Sequence, residues 1–405
     1  MSFVQEKAEN LDACIKCSAC TAMCPVAAVN PLFPGPKILG PDAERFRLEG
    51  LQLGTTLLNY CSKCKTCEIT CPSGVKVTEM ITRAQEDAQM SGAGKTLQLR
   101  VRDHLLGRAE YLGKLATIWP NLTNALLRVP LFRKFLEQIL GISSEAPLPA
   151  YKQKFKGSGP GRQSKKQVVF FPGCFVTYND ALTGQAIIKV LEHNGFEVIV
   201  PPFHCCGTPL EGNGLVREAK EIVQKNLALM SPYTQAGVPV ITGCTSCGLA
   251  LREYPSPAMS GAEHHELQTY DLFEFLWELH ERNELREDFK EIQISLGYHA
   301  SCHLKAQGIG TPSVRLLRLI PGVQVVDLDQ GCCGLSGSYG FKKEKYVTAM
   351  QIGNPLFNRV RRGAANGEFQ TVTTECGGCQ VQISHGSGLK TEHPVWVLMQ
   401  AYGLN

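Results

Sequence analysis

Across its 405 residues the chain has no run approaching the roughly 18 consecutive apolar residues that a membrane-spanning helix needs, so no transmembrane segment is expected. The first ten residues, MSFVQEKAEN, carry acids and no apolar h-region, and cysteines begin at Cys14. A secretory signal is therefore not expected, and the expected location is cytoplasmic. A GxGxxG turn behind a strand is also missing. The run Gly331-Cys332-Cys333-Gly334-Leu335-Ser336-Gly337 is better explained by its cysteines, so the chain has no flavin or nicotinamide fingerprint of its own. Neither sign of charge dominates, the net value being +4, and charged residues make up only 19% against 43% hydrophobic. That composition belongs to a folded globular protein, and the length exceeds what one core usually organises, so two or three domains are expected.

Cysteine is what the chain has in abundance. Eighteen of them in a reducing compartment read as ligands for soft metals rather than as disulfides. Eight form two copies of one spacing: Cys14-x2-Cys17-x2-Cys20-x3-Cys24-Pro25 and Cys61-x2-Cys64-x2-Cys67-x3-Cys71-Pro72. In the bacterial two-cluster ferredoxin run, three closely spaced cysteines wrap one face of a [4Fe-4S] cube and the fourth reaches across to the other. That rule predicts one cluster on Cys14, Cys17, Cys20 and Cys71, and a second on Cys61, Cys64, Cys67 and Cys24. Two-residue gaps let a tight loop present three thiolates from one side, and the proline that ends it has no N–H to lose. Between the motifs, Pro and Gly exclude regular structure as far as Lys37, Pro41-Asp42 reads as a helix start, and Val77 to Met90 has helical character. Arg45 and Arg47 either offset cluster charge or are solvated surface.

Thirteen basic residues against four acidic ones fall between residues 96 and 166. Apolar residues from Leu97 to Ile139 recur there at three- and four-residue intervals, interrupted at Pro120 and Pro130, which predicts helices. Basic amphipathic helices of this kind suit a membrane surface or a partner, and an ordinary packed linker is the alternative. No nucleic-acid motif accompanies the charge, so nucleic acid is not an expected partner. Residues 150 to 166, rich in Lys, Gly and Ser, read as a flexible boundary.

The other ten cysteines fall into two sets of five: Cys174, Cys205, Cys206, Cys244 and Cys247, then Cys302, Cys332, Cys333, Cys376 and Cys379. A repeat this long implies a duplicated domain. Apolar β-rich runs precede the cysteines: Val168 to Phe171, Phe196 to Val200 and Val238 to Thr242, then Ile294 to Tyr298, Val323 to Leu328 and Phe369 to Thr373. Helical stretches such as Leu182 to Glu192, Leu215 to Met230 and Ser313 to Ile320 lie between them. Strand-helix alternation predicts parallel sheets whose ligand sites lie at the carboxyl ends of strands, where every cysteine group falls. Gly207 and Gly334 are expected to let the backbone approach a bulky cluster, and helices after Cys247 and Cys379 to favour thiolate. Five thiolates exceed the four of a tetrahedral zinc or a cubane, so one is spare or the cluster is not a cube; zinc and vicinal disulfides are the alternatives. His204, His299 and His303 flank these cysteines, as iron ligands, proton relays or ordinary hydrogen-bonding groups.

Together these give an α+β multidomain chain. Its expected parts are an N-terminal α-helical two-cluster ferredoxin domain (1–92), a basic amphipathic helical connector (93–166) and two duplicated α/β units with short parallel sheets (167–292 and 293–405). Two ferredoxin motifs followed by two CCG domains resemble the D-type subunits of heterodisulfide reductases, a class that also takes in the iron-sulfur subunit of glycolate oxidase. Pro34-Gly35-Pro36-Lys37, Gly173-Cys174-Phe175-Val176, Cys205-Cys206-Gly207-Thr208-Pro209-Leu210 and Gly337-Ser338-Tyr339-Gly340-Phe341-Lys342-Lys343-Glu344 are similar to the branch formed by the iron-sulfur subunits of anaerobic glycerol-3-phosphate dehydrogenases. The resemblance implies an electron-transfer subunit with no dehydrogenase site of its own, peripheral on the inner face of the membrane. It implies as partners a flavoprotein pair oxidising glycerol 3-phosphate, a membrane quinone and the membrane surface. It further implies that each five-cysteine set holds an iron-sulfur cluster, noncubane [4Fe-4S] in form. Rival readings are a heterodisulfide-reductase-like catalyst and a subunit of a glycolate- or lactate-type oxidase.

Overall fold

The computed structural model describes residues 11, 13–51, 56–90, 96–157, 166–254 and 267–404. Residues 158–165 of the Lys/Gly/Ser stretch, Arg162 and Lys165 among them, lie outside these.

Each ferredoxin motif builds a loop and one turn of helix. Helices Ala19–Ala22 and Thr66–Ile69 start from left-handed residues, Ser18 (φ 66°) and Lys65 (φ 59°), and Lys16 and Lys63 take the same backbone two residues after Cys14 and Cys61. Left-handed residues at alternate positions turn N–H groups to one side, making a nest that holds anions. The helix expected at Pro41-Asp42 begins sooner, as a wide turn over Ile38–Asp42 that runs into helix Ala43–Leu48. Arg45 and Arg47 are spent locally: Arg47 donates to Glu44 (2.9 Å) and to the Leu39 carbonyl (2.7 Å), and Arg45 donates to the Pro41 carbonyl (2.9 Å). Val26, Phe33, Leu58, Met80 and Ile81 form the core of this unit, and Ile352 joins them from the far end of the chain.

The connector is four helices, Leu97–Gly107, Ala109–Ala116, Pro120–Arg128 and Pro130–Leu140. Pro120 and Pro130 stand in the first turn, where the missing N–H costs nothing, so they start helices rather than interrupt one. Two of the basic residues are internal. Arg133 donates to the carbonyls of Ser143 and Ala146 (both 2.7 Å). Arg102, buried, holds Glu344 with both guanidinium arms (2.8 and 2.9 Å) and sits 3.2 Å from Asp103, whose other neighbour is Lys342 (2.9 Å). The stretch from Phe341 to Glu344 thus clamps the connector, and the Ser143 N–H to Phe341 carbonyl bond (2.8 Å) continues the tie. The expected flexible boundary is anchored at its start, because the N–H groups of Lys152 and Phe155 donate to the Tyr178 and Thr177 carbonyls (both 2.9 Å).

Two four-stranded parallel sheets follow. In the first, β1 (Gln167–Phe171), β2 (Glu197–Ile199), β3 (Val240–Thr242) and β4 (Thr269–Asp271) lie in the order β2-β1-β3-β4. In the second, β5 (Ile294–Tyr298), β6 (Val323–Asp327), β7 (Thr371–Thr373) and β8 (Thr391–Glu392) repeat it as β6-β5-β7-β8. Edge strands β4 and β8 are too short and too polar to announce themselves in the sequence. Chain direction away from the sheet reverses between β1 and β3 and between β5 and β7, and each reversal opens a crevice at the strand ends. The sheets share one core, in which Phe170, Ile187 and Phe273 of the first pack with Tyr298, Leu316 and Val395 of the second.

Two carboxyls are buried along this seam. Burial pushes Asp271 well above its ordinary 3.8, Glu375 adding to the shift, and burial also raises Glu375, which accepts from Tyr298 Oη (3.0 Å) and Ser313 Oγ. A raised carboxyl contributes its stability while protonated, and that contribution is lost as pH rises from 3.8 through the native value. Asp271→Asn, which keeps the acceptor capping the Phe273 N–H (3.0 Å), is therefore expected to melt higher than wild type at pH 8, with the gain vanishing toward pH 4; a pH-independent difference would contradict the buried pair. Asp103→Ala leaves Lys342 and Arg102 buried beside a cavity and is expected to cost about 3–5 kcal/mol in chemical denaturation; a loss under about 1 kcal/mol would show that the clamp is not needed.

Candidate functional site

Cys174 opens onto the crevice from helix Gly173–Tyr178 just beyond β1, and Cys244 stands just beyond β3, on the two sides of the first reversal. Cys302, four residues after β5, and Cys376, three after β7, take the same places in the second sheet. The helices expected after Cys247 and Cys379 start a turn earlier. Cys244 and Cys376 are the N-caps of Thr245–Glu253 and Gly377–Ser387, and Cys247 and Cys379 occupy the first turn, where the helix dipole favours anionic sulfur.

Within each set the sulfurs touch in one unbroken succession. In the first it runs Cys174, Cys205, Cys206, Cys247, Cys244, and in the second Cys302, Cys332, Cys333, Cys379, Cys376, with Cys333 and Cys379 Sγ 3.2 Å apart. Hydrogen bonds from Cys205 and Cys247 hold Cys206 well below the ordinary thiol range; Cys302 and Cys333 do the same for Cys332, and the Cys379 thiol brings Cys376 down to about 6. Backbone supports these sulfurs, since the Gly334 N–H donates to Cys332 Sγ (3.3 Å). Among the described residues no three His, Cys, Asp or Glu side chains converge as a single ion requires. The donor set is all thiol, which suits iron-sulfur clusters, whose ligands are spread over several irons.

The ferredoxin cysteines separate by exposure. Cys17 is exposed, and Cys14 and Cys20 are half-buried and act on one another through charge. Cys71, whose Sγ accepts the Val75 N–H (3.3 Å), packs on the same core as Cys14 and Cys20. Of the other four, Cys24, Cys64 and Cys67 are buried and Cys61 is half-buried; all four interact electrostatically, and burial pushes Cys24 up to about 11 and Cys61 up to about 12. Cys64 also feels Cys332, and Cys302 feels Cys64, so the deep ferredoxin group abuts the second five-cysteine set. The two five-cysteine sets meet through Ser246, which donates to Cys376.

His204 and His303 make hydrogen bonds in this setting, whereas the buried Nε2 of His299 has no hydrogen-bond partner among the described residues. His303 bridges Ser246 Oγ (2.9 Å) and the Lys63 carbonyl (3.2 Å), tying both CCG units to the ferredoxin loop. His204 Nδ1 lies 3.3 Å from Glu110 of the connector, and burial pushes His299 down to about 4. Glu110 itself escaped sequence reasoning. It accepts the Cys205 N–H (2.9 Å), and although burial opposes its charge, Lys114 and that N–H hold it below the usual carboxylate range. Glu375 was missed too; the only signal for it was that Glu precedes Cys376 where Gly243 precedes Cys244.

Between the connector helices and the two cysteine faces lies a cavity of about 650 Å³. Cys174, Cys206, Cys244, Cys247 and Cys376 line one end; leucines and Phe132 of the connector line the other.

Gly207 and Gly334 take left-handed backbone (φ 90° and 88°), but what they approach is the next helix: a Cβ on Gly334 would stand 2.0 Å from the Ala349 carbonyl oxygen, whereas one on Gly207 would stand 3.6 Å from Ala219. Gly334→Ala is accordingly expected to strip iron from the second set while Gly207→Ala, strained by φ alone, retains most of it. Equal iron content in the two variants would refute the difference.

Residues 10–75 match the 4Fe-4S dicluster domain model, and residues 168–252 and 296–384 match the cysteine-rich CCG domain. The chain is 36% identical over 402 residues to the C subunit of anaerobic glycerol-3-phosphate dehydrogenase from Escherichia coli K12, covering 96% of this chain and 98% of that one. The B subunit of fumarate reductase (CoM/CoB) from Methanothermobacter marburgensis is 27% identical, over 93% of this chain and 68% of its own length. The glycolate oxidase iron-sulfur subunit of Escherichia coli K12 is 26% identical, over 96% and 94%. Multiple iron-sulfur clusters are the cofactors that these domains and their clustered thiols specify. With that degree of identity along nearly its whole length, the chain belongs to the family of the anaerobic glycerol-3-phosphate dehydrogenase C subunit, iron-sulfur electron-transfer subunits of oxidoreductases.

Proposed function

We propose that the chain carries electrons from a flavoprotein dehydrogenase acting on glycerol 3-phosphate to the quinone pool of the membrane on which it lies. The observation that carries this reading is the succession of thiols from exposed Cys17, through the deep ferredoxin group, to the paired five-cysteine sets beneath the connector. In this reading Cys14, Cys17, Cys20 and Cys71 hold one cluster, and Cys24, Cys61, Cys64 and Cys67 the next. Each complete set of five holds a further one. When bound, the clusters supply one-electron carriers. The protein's part is to hold them in close sequence, with nests at Lys16, Ser18, Lys63 and Lys65 facing the anionic sulfur.

The surface has two apolar regions suited to the two ends of such a relay. Around Cys17, Ile15, Met23 and Leu32 are exposed and offer a face for the flavoprotein. On the connector, Leu97 (78% exposed), Trp119 (70%) and Leu131 (78%) stand outward beside exposed Arg100, Arg128 and Lys134, the combination that binds anionic lipid. Among the described residues no helix is long and apolar enough to cross a membrane.

The test is anaerobic reduction of a quinone analogue by glycerol 3-phosphate with the flavoprotein pair present. Adding this chain is expected to raise the rate at least tenfold, and an equal rate without it would sink the reading. For the membrane face, Trp119→Glu with Leu131→Glu is expected to abolish co-sedimentation with anionic vesicles; undiminished binding would place lipid contact elsewhere.

A further inference from the structure

We propose that the cavity between the connector helices and the cysteine faces is the binding site of the quinone itself, an inference that rests on the relay reading above and gives it a location. The whole cavity, its cysteine-lined end included, measures about 650 Å³, within the range of sites that hold a small molecule beside a cofactor. The end beside Cys174, Cys206, Cys244, Cys247 and Cys376 belongs to the clusters; the remainder extends among Leu105, Leu112, Leu127, Phe132, Leu136 and Leu148, which offer no polar atoms to a soluble metabolite.

Three features select an apolar, neutral, redox-active ring. The first is the pairing of opposite ends, thiols from both sheets at one and aliphatic walls at the other, so an occupant is held by dispersion and area while one edge faces the electron source. The second is charge. The four charged side chains of the lining cancel in pairs, Lys63 with Glu211 (3.2 Å) and Lys65 with Glu253, so an anionic disulfide or hydroxy acid meets no spare cation. The third is the route. The helices that wall the cavity on one face present exposed apolar side chains among basic ones on the other, Leu115 and Leu126 both lining the cavity and reaching the surface, the mixture that suits the headgroup boundary of a lipid layer. A quinone carried in lipid reaches the cavity past such helices without crossing water. Tyr151 adds a hydroxyl to the wall for a ring oxygen.

The ring accepts two electrons, drawn from the flavoprotein's substrate and delivered one at a time by the iron-sulfur clusters, and two protons from water. Both C=O groups become C–OH and no other bond breaks.

The experiment uses the anaerobically purified, cluster-loaded chain and two probes: 2-heptyl-4-hydroxyquinoline N-oxide, titrated by its fluorescence, and an azido-naphthoquinone mapped by peptide mass spectrometry after photolysis. Wild type is expected to bind the first saturably and to carry the second on cavity-wall peptides within residues 97–151. Leu112→Trp and Leu127→Trp, which fill the cavity, are expected to weaken binding at least tenfold with iron content and paramagnetic resonance signals unchanged, while Leu182→Trp on the outer surface has no effect. Unchanged binding in both filled variants overturns the site, as does a label mapped elsewhere or no saturable binding to wild type. Should a filled variant lose iron, the label map on wild type still decides. A complex that reduces quinone normally with its cavity filled refutes this site and leaves the relay standing. Specific cavity binding by a complex that reduces no quinone refutes the relay instead.

Discussion

Asp103, buried between Arg102 and Lys342, is the contact on which the arrangement of this protein turns. It joins the first connector helix to the loop entering the long helix Lys343–Ala365, and Arg102 repeats the tie through Glu344. Buried ion pairs seldom add net stability, because desolvation consumes most of what the charges return, but they are demanding about position. Here the position they enforce is that of four helices over the cysteine ends of two sheets. The clamp ties the first connector helix to the second sheet-bearing unit, beside the cavity that the connector covers.

Beneath that cover the duplicated sheets solve one geometric problem twice. Each reversal of chain direction opens a crevice, and each crevice receives a cysteine from either side, with the vicinal pair and the helix-borne cysteine closing the group. The copies are nevertheless unequal. The second set abuts the deep ferredoxin group, through Cys332 and Cys302, and its Gly334 stands where an added Cβ would come within 2.0 Å of the Ala349 carbonyl oxygen, against 3.6 Å to Ala219 at Gly207. Duplication supplied the sites, and contact with the ferredoxin loop gave them different neighbours.

Much of the fold could be read from sequence because its signals are local. Val77–Met90 and Ile294–Tyr298 have the boundaries their periodicity predicts, and the spacing of the thiols announces the two kinds of cysteine unit. What could not be read depends on partners far along the chain. Nothing local marks Arg102 as internal or Glu110 as an acceptor for the Cys205 N–H, since each looks like an ordinary surface residue of a helix until the fold brings its partner to it. The reason for Gly334 was legible only in part. The need for left-handed backbone is intrinsic to the residue, but the Ala349 carbonyl that forbids a side chain lies fifteen positions away.

Of the twenty-two large apolar side chains exposed among the described residues, twenty precede residue 140, leaving the sheet-bearing half almost free of them. An exposed apolar area of that extent is sticky in water. The half that is synthesised first is thus the half that most needs company, while the sheets whose Lys342 and Ile352 brace it emerge from the ribosome last. Production of this protein is accordingly a problem of timing: the early helices carry their apolar surface uncovered while the part of the chain that braces them is still being made.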